Sequence, residues 1–250
     1  MNIRFIVQYD GTRYEGWQRQ VRTKETIQGK LEQAIAQVTG ETVQIQGAGR
    51  TDAGVHSRGQ TANVRLKKKV DILQFEDRVN RALPSDIAIL DSRKVPDNFH
   101  SRFGARSKLY VYRIRTGSHK DVFHRRFIWQ YGEKLDIKAM TKAAMLMEGT
   151  HDFRGFTSNK KMKTGTERTV YSITLEESDD LLTLSFTGDG FLTNMVRIMT
   201  GTLVEVGEGA RKPEDIPMIL MSMDRANAGK LMPPEGLTLE CVEYEDNLKK

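Results

Sequence analysis

The chain has one cysteine in 250 residues, Cys241, which excludes an intrachain disulfide and any multi-cysteine zinc site. No apolar run approaches the roughly 18 residues that a membrane span needs. The opening MNIRFIVQYD alternates and reaches Asp10 without a cleavable apolar stretch, so it reads as a strand and not as a secretion signal. A cytoplasmic protein is the expectation. The five histidines, His56, His100, His119, His124 and His151, show no HxH or HxxxH spacing, and no phosphate-cradling P-loop is present. Low-complexity segments are also missing.

What is present is the profile of a globular protein long enough for one large domain or two small ones, with 38% hydrophobic and 29% charged residues. The net charge of +6 is unevenly spread. Residues 1–125 hold 23 Lys/Arg against 13 Asp/Glu, and residues 126–250 hold 16 against 20. Between Arg102 and Arg126 eight basic residues face a single acid, Asp121. Such segregation favours a polyanionic partner, most simply nucleic acid, although a solvated basic surface gives the same count. The run Lys67 to Lys69 reads as a solvated strand end.

Periodicity divides the chain into two α/β halves. Ile3, Phe5, Val7 and Tyr9 alternate as a half-buried strand. Ile27, Leu31, Ala34, Ile35 and Val38 recur at helical spacing, with Thr26 as N-cap and Gly40 past the end. Strands follow at Val43–Ile45 and at Ala62, Val64 and Leu66. Asp71 caps a helix striped by Ile72, Phe75, Val79 and Leu83 and stopped by Pro84, and Ile87 and Ile89 begin another strand. That order, βαββαβ, is ferredoxin-like. The second half repeats it: a strand with Tyr110, Tyr112 and Ile114, a helix near Asp136 to Met147, strands around Tyr171–Leu175 and Leu182–Phe186, a long helix from Phe191, and a last strand near Leu237 to Val242. The expected division is residues 1–100 and 101–250, with the boundary between 96 and 106. Met140, Met145, Met147, Met221 and Met223 read as core or helix-interface filling, and Cys241 as a small buried hydrophobe.

Between the second and third strands lies GRTDAGVHSRGQ, Gly49 to Gln60. An aspartate preceded by an arginine and a threonine, a histidine and three glycines are crowded into twelve residues. Glycines here permit positive φ or close backbone approach, and a loop held by a sheet is a common place for catalysis. The same residues also allow a plain hairpin in which Asp52 makes an Asx-turn. A lone arginine, Arg197, stands among uncharged residues from Gly190 to Val204, opposite the broad apolar face of Phe191, Met195, Val196, Ile198, Met199 and Leu203. A buried carboxylate partner explains it better than open water does.

GRTDAGVHSRGQ closely resembles the signature of the TruA-type tRNA pseudouridine synthases. YDGTRYEGWQRQ (Tyr9 to Gln20), SKLYVYRI (Ser107 to Ile114), HDF (His151 to Phe153), FLTNMVR (Phe191 to Arg197) and PPEGLTL near the end resemble the same family in the same order. Ser57 stands where the family often has alanine, and Thr238 where tyrosine is frequent. The resemblance implies a pseudouridine synthase fold with a largely antiparallel central sheet. The activity it implies is isomerisation of uridine to pseudouridine at positions 38, 39 and 40 of the tRNA anticodon stem-loop.

It further implies Asp52 as the catalytic carboxylate, Arg197 beside it and Tyr110 as the active-site tyrosine. Arg50 would take the space a flipped uridine leaves, and Gly236 and Leu237 would form the floor under the base. The family usually works as a homodimer on tRNA. Exchanging an N-glycoside for a C-glycoside involves no net redox change and adds no water, so neither metal nor cofactor is demanded. A carboxylate can serve as nucleophile or as base on a sugar proton, and it must stay ionised in a dry site, which calls for a nearby cation. His56 is expected to shape the loop. Two other readings compete: a non-catalytic tandem RNA-binding protein, disfavoured because Lys108 to Arg115 lacks the aromatic-glycine alternation of an RNP motif, and a nucleoside hydrolase, disfavoured because no second carboxylate accompanies Asp52 in the loop.

Overall fold

The computed structural model describes residues 1–159, 161–162 and 164–245. The chain divides into two compact units, Met1–Arg106 with the final segment from Leu239, and Ser107–Thr238.

The first unit runs β1 (Asn2–Tyr9), α1 (Ile27–Thr39), β2 (Ile45–Gly47), β3 (His56–Arg65), α2 (Ile72–Ala82) and β4 (Ile87–Val95). This is the βαββαβ order expected, and its strands lie antiparallel, with β1 between β4 and β3 and β2 against the far end of β3. Local chemistry sets the helix ends. The Thr26 side chain accepts from Gly29 N–H, Asp71 accepts from Gln74 N–H, and Gly40 closes α1 at φ 72°, a conformation glycine adopts without a Cβ penalty. The helices bury Ile27, Leu31 and Ile35 of α1 and Phe75 and Val79 of α2 in one cluster with Ile3, Phe5 and Val7 of β1 and Ala62 and Val64 of β3.

Strand β3 starts earlier than its apolar pattern suggests, so His56 to Gln60 of the signature are strand and the connection shrinks to 48–55. The pairing of β1 with β3 slips between Val7↔Gln60 and Tyr9↔Ser57, leaving an extra residue on β3. Ser57 pins this bulge. Its Oγ accepts from Gly59 N–H at 3.2 Å and Gln60 N–H at 2.8 Å, and donates to Leu239 O at 3.1 Å.

The second unit holds β5 (Ala105–Arg115), β6 (Trp129–Gln130), α3 (Ile137–Met145), β7 (Gly149–Asp152), β8 (Glu167–Ser178), β9 (Leu181–Gly188), α4 (Met195–Gly207) and α5 (Ile216–Ser222). Strand β9 lies between β5 and β8, and β7 pairs with β8, all antiparallel. Asp179 and Asp180, at φ 51° and 61°, form the two-residue turn between β8 and β9, both in the left-handed region that suits a tight hairpin. The final strand, β10 (Leu237–Tyr244), carries the chain back beside β3 of the first unit from Leu239 onward.

Several expectations for this half need correction. It contains β6, β7 and α5 in addition to the expected repeat, short elements whose periods are too brief to read. Helix α4 begins at Met195 and not at Phe191, because Asn194 takes φ 62° and interrupts the turn. A register shift between Val170 and Ser172 turns Tyr171 outward, half exposed, while Ile173 is buried. Met140 and Met147 are core, but Met145, Met221 and Met223 are exposed, and Cys241 is only partly buried. Among the described residues no helix is long and apolar enough to cross a membrane.

Candidate active site

Asp52 lies in the 48–55 connection and is half-buried, while its neighbour Arg50 is exposed. The loop is fastened at both ends to β3, by Ala48 N–H donating to Thr61 O at 2.8 Å and the Gln60 side-chain amide donating to Gly49 O at 2.9 Å. Its middle is a reverse turn. Val55 N–H donates to the main-chain oxygen of Asp52 at 3.2 Å, and Gly54 takes φ 78° at the third position, as a type II turn requires. The N–H that an Asx-turn at Asp52 would use, that of Gly54, donates to Tyr14 O at 3.2 Å. The glycine serves geometry here.

The segment after β1 forms the wall against which this loop rests. Trp17 N–H donates to Thr51 O at 3.1 Å, and the Tyr9 hydroxyl is 2.8 Å from Thr51 Oγ1. Burial raises the Tyr9 pKa well above its ordinary value, so the phenol stays neutral and can share a proton with Thr51. Gly11 N–H donates to His56 Nδ1 at 3.0 Å, and the same nitrogen is 3.3 Å from Asp10 Oδ1. Two glycines make the approach possible. A Cβ on Gly11 would sit 2.0 Å from Val55 O, and one on Gly16, which is at φ 90°, would sit 2.7 Å from Thr51 O. The segment is in turn anchored to the turn between α2 and β4, where the Tyr14 hydroxyl donates to Asp86 Oδ1 at 2.6 Å and Arg13 donates to Asp86 Oδ2. Burial and then the Asp86 carboxylate push the Tyr14 pKa up.

Gly11→Ala is therefore expected to force the 51–55 backbone aside. Overpacking against a main-chain oxygen costs about 1–3 kcal/mol, so the urea midpoint should drop while the variant stays folded. An unchanged midpoint would show that the two segments are not held together as described.

Four expected site residues belong to the second unit. Tyr110 is buried on β5 and meets Phe191 edge-on at 5.3 Å between ring centres. Tyr112, two residues on, is fully buried core. Its hydroxyl donates to Pro233 O at 2.8 Å, and burial followed by the Glu235 carboxylate raises its pKa. Gly236 packs against that ring, where a Cβ would lie 2.6 Å from Tyr112 Cε1, and Leu237 beside it is buried.

Arg197 is half-buried on α4. The face it shares with Thr200, Gly201 and Val204 does not meet water, because the chain at 229–232 covers it. A Cβ on Gly201 would come within 1.9 Å of Lys230 O, and Gly229 N–H donates to Thr202 Oγ1 at 2.9 Å. Arg197 Nε–H donates to Met232 O at 2.6 Å, and its Nη1 donates to Asn194 Oδ1 at 2.9 Å. Asn194 thus spends its side chain on the arginine instead of capping α4. The guanidinium is held on two sides by its own unit.

Asp52 and Arg50 are brought together by one loop, and Tyr112, Gly236 and Leu237 by one corner of the second unit. Sequence reading did not single out Gly11, Tyr14, Gly16, Trp17 or Gln18 as members of the site. The spaced glycines of YDGTRYEGW were the available signal, yet which backbone they approach is not a local property. Among the described residues no group of three or more His, Cys, Asp or Glu is placed to hold a metal ion.

The family model described as tRNA pseudouridine synthase matches residues 5–104 and 143–245. A protein of Clostridium tetani (strain Massachusetts / E88), named tRNA pseudouridine synthase A 2, is 45% identical over 245 residues, 97% of this chain and 98% of its own. The tRNA pseudouridine synthase A of Bacillus sp. (strain KSM-64) is 42% identical over 243 residues, 97% and 99% of the two chains. A chain from a crystal structure of a Cbf5-Nop10-Gar1 complex is matched at TM-score 0.35 and 12% identity, over 81% of this chain and 45% of that one, a likeness too distant to bear on the fold. With the family model spanning both units and relatives above 40% identity along nearly the whole length, the chain belongs to the tRNA pseudouridine synthase family, whose members are isomerases.

Proposed function

We propose that this protein isomerises uridine to pseudouridine at positions 38, 39 and 40 of the tRNA anticodon stem-loop, with Asp52 as the catalytic carboxylate. The observation that carries the reading is the half-buried aspartate on a turn whose backbone is fixed from two sides, by β3 and by the Tyr9–Trp17 segment. A group that must meet one atom of a bound nucleotide needs such a rigid mount.

The chemistry is an exchange of bonds at one carbon. The N1–C1′ bond breaks, the uracil turns over, C5 bonds to C1′, C5 loses its proton and N1 gains one. Asp52 assists departure of the base, as nucleophile or as base on a sugar proton. Arg197 supplies the positive charge that keeps it ionised, and Tyr110 stacks on the uracil with its hydroxyl near the C5 proton. Gly236 and Leu237 line the floor. A stem uridine must first leave the duplex, at a cost of roughly a few kcal/mol, and Arg50 fills the vacated space. The excess of basic residues in 1–125 suits the tRNA backbone. We assign the enzyme to the cytoplasm and to a homodimer.

The test is incubation of the protein with unmodified tRNA transcripts, without added metal or nucleotide, followed by mapping of pseudouridine by position. Product at 38, 39 or 40 is the expected result. Product confined to other positions would overturn the site assignment, and none at all would overturn the enzymatic reading.

A further inference from the structure

Arg50 is an exposed, long side chain, and such a chain loses much rotamer freedom when held in one pose. It does not stand alone. Its Nε–H donates to Gln18 Oε1 at 2.9 Å. Gln18 Nε2 donates to Gln28 Oε1 at 2.7 Å, and Gln28 Nε2 donates to Glu32 Oε1 at 2.9 Å and to Ile45 O at 3.2 Å. Gln28 and Glu32 are both buried, at 4% and 7% exposure, and Glu32 Oε1 also receives Ile45 N–H at 3.1 Å. The other Glu32 oxygen is 3.0 Å from Arg19, whose backbone N–H donates to Gln28 Oε1 at 3.0 Å.

This chain of bonds has a direction fixed by its buried end. A carboxylate and a carbonyl only accept, so Gln28 must present its amino group to Glu32 and Ile45. Its oxygen then faces Gln18, which must present its own amino group there. The Gln18 oxygen is left for Arg50. Because the bond uses Nε–H, at the neck of the guanidinium, the two terminal nitrogens stay available for another partner.

We infer that Gln18 is a positioning residue for Arg50, holding its side chain ready to enter the stem when the target uridine leaves. The inference rests on the reading of Arg50 as the residue that occupies the vacated space. Glu32 and Gln28, on the buried face of α1, set the polarity, and Gln18 carries it to the surface of the catalytic loop.

The experiment compares steady-state rates on two full-length tRNA transcripts, one with its target uridine base-paired and one in which the opposing nucleotide is changed to leave that uridine unpaired. Gln18→Leu removes the acceptor at similar size. It should lower kcat on the paired substrate about tenfold, the value of one hydrogen bond to a charged group, with KM little changed. On the unpaired substrate the loss should be under about threefold. Arg50→Ala should show the same substrate dependence, and Gln18→Leu added to it should cost nothing more.

Equal losses for Gln18→Leu on both substrates would overturn the inference in favour of a merely structural glutamine, as would additive losses in the double variant. If Arg50→Ala itself fails to distinguish paired from unpaired targets, the flipping role falls and the inference falls with it, whatever Gln18 does.

Discussion

Asp52→Asn is expected to lower pseudouridine formation by about 10⁴-fold or more while tRNA affinity stays within about threefold of the parent. Asparagine keeps the size and shape of the side chain but carries no charge, so it cannot attack or accept a proton as a carboxylate does. The turn survives the change, because Asp52 contributes its main-chain oxygen to Val55 N–H and Gly54 supplies the positive φ. A melting curve recorded beside the product assay separates a chemical defect from a folding one. The measurement is single-turnover product formation on a tRNA transcript, set beside a binding titration. Retained product would remove the catalytic assignment. If parent and variant both bind and neither makes product, the chain is an RNA-binding module instead.

Arg197→Met is the second large effect. The replacement keeps an apolar stem on α4 and removes the cation proposed to hold Asp52 ionised. Removing one charged group that a reaction relies on slows turnover on the order of 10²- to 10³-fold. The folded state loses less. Met232 O and Asn194 Oδ1 each give up one donor, at about 1 kcal/mol apiece. A melting curve measured beside the rate checks both parts. Unimpaired turnover would break the proposed pairing of function between the two residues.

Asp52 gives its backbone to the loop. Arg197 gives its guanidinium to a carbonyl and an amide, so part of its loss must appear as stability. The Arg197 network also explains why α4 starts late. Asn194 turns its oxygen to the arginine, its backbone leaves the helical region at φ 62°, and Met195 becomes the first helical residue.

Short-range patterns in the sequence were enough to place the first unit. Thr26, Gly40 and Asp71 act within four residues of themselves, and their capping roles are written in residue type. The alternation of Ile3, Phe5 and Val7 and the stripe of Phe75 and Val79 point to the buried face because burial of apolar area dominates their placement. Patterning fails where one residue departs from its period. The bulge beside Tyr171 reverses a side chain, and α5 is too short for a helical repeat to show.

By itself the sequence determined that Asp52 sits in a glycine-rich connection between strands, that the basic excess lies in residues 1–125, and that one arginine stands in an otherwise uncharged stretch from Gly190 to Val204. Only the tertiary structure decided that Gly11 and Gly16 press the Tyr9–Trp17 segment onto that connection, that Lys230 and Met232 cover the Arg197 face, and that Gln18 reaches Arg50 from 32 residues away. The physical reason is range. Caps and periodicities are energies between residues a few positions apart, whereas a close backbone approach or a directed chain of hydrogen bonds exists only after distant segments have been packed together.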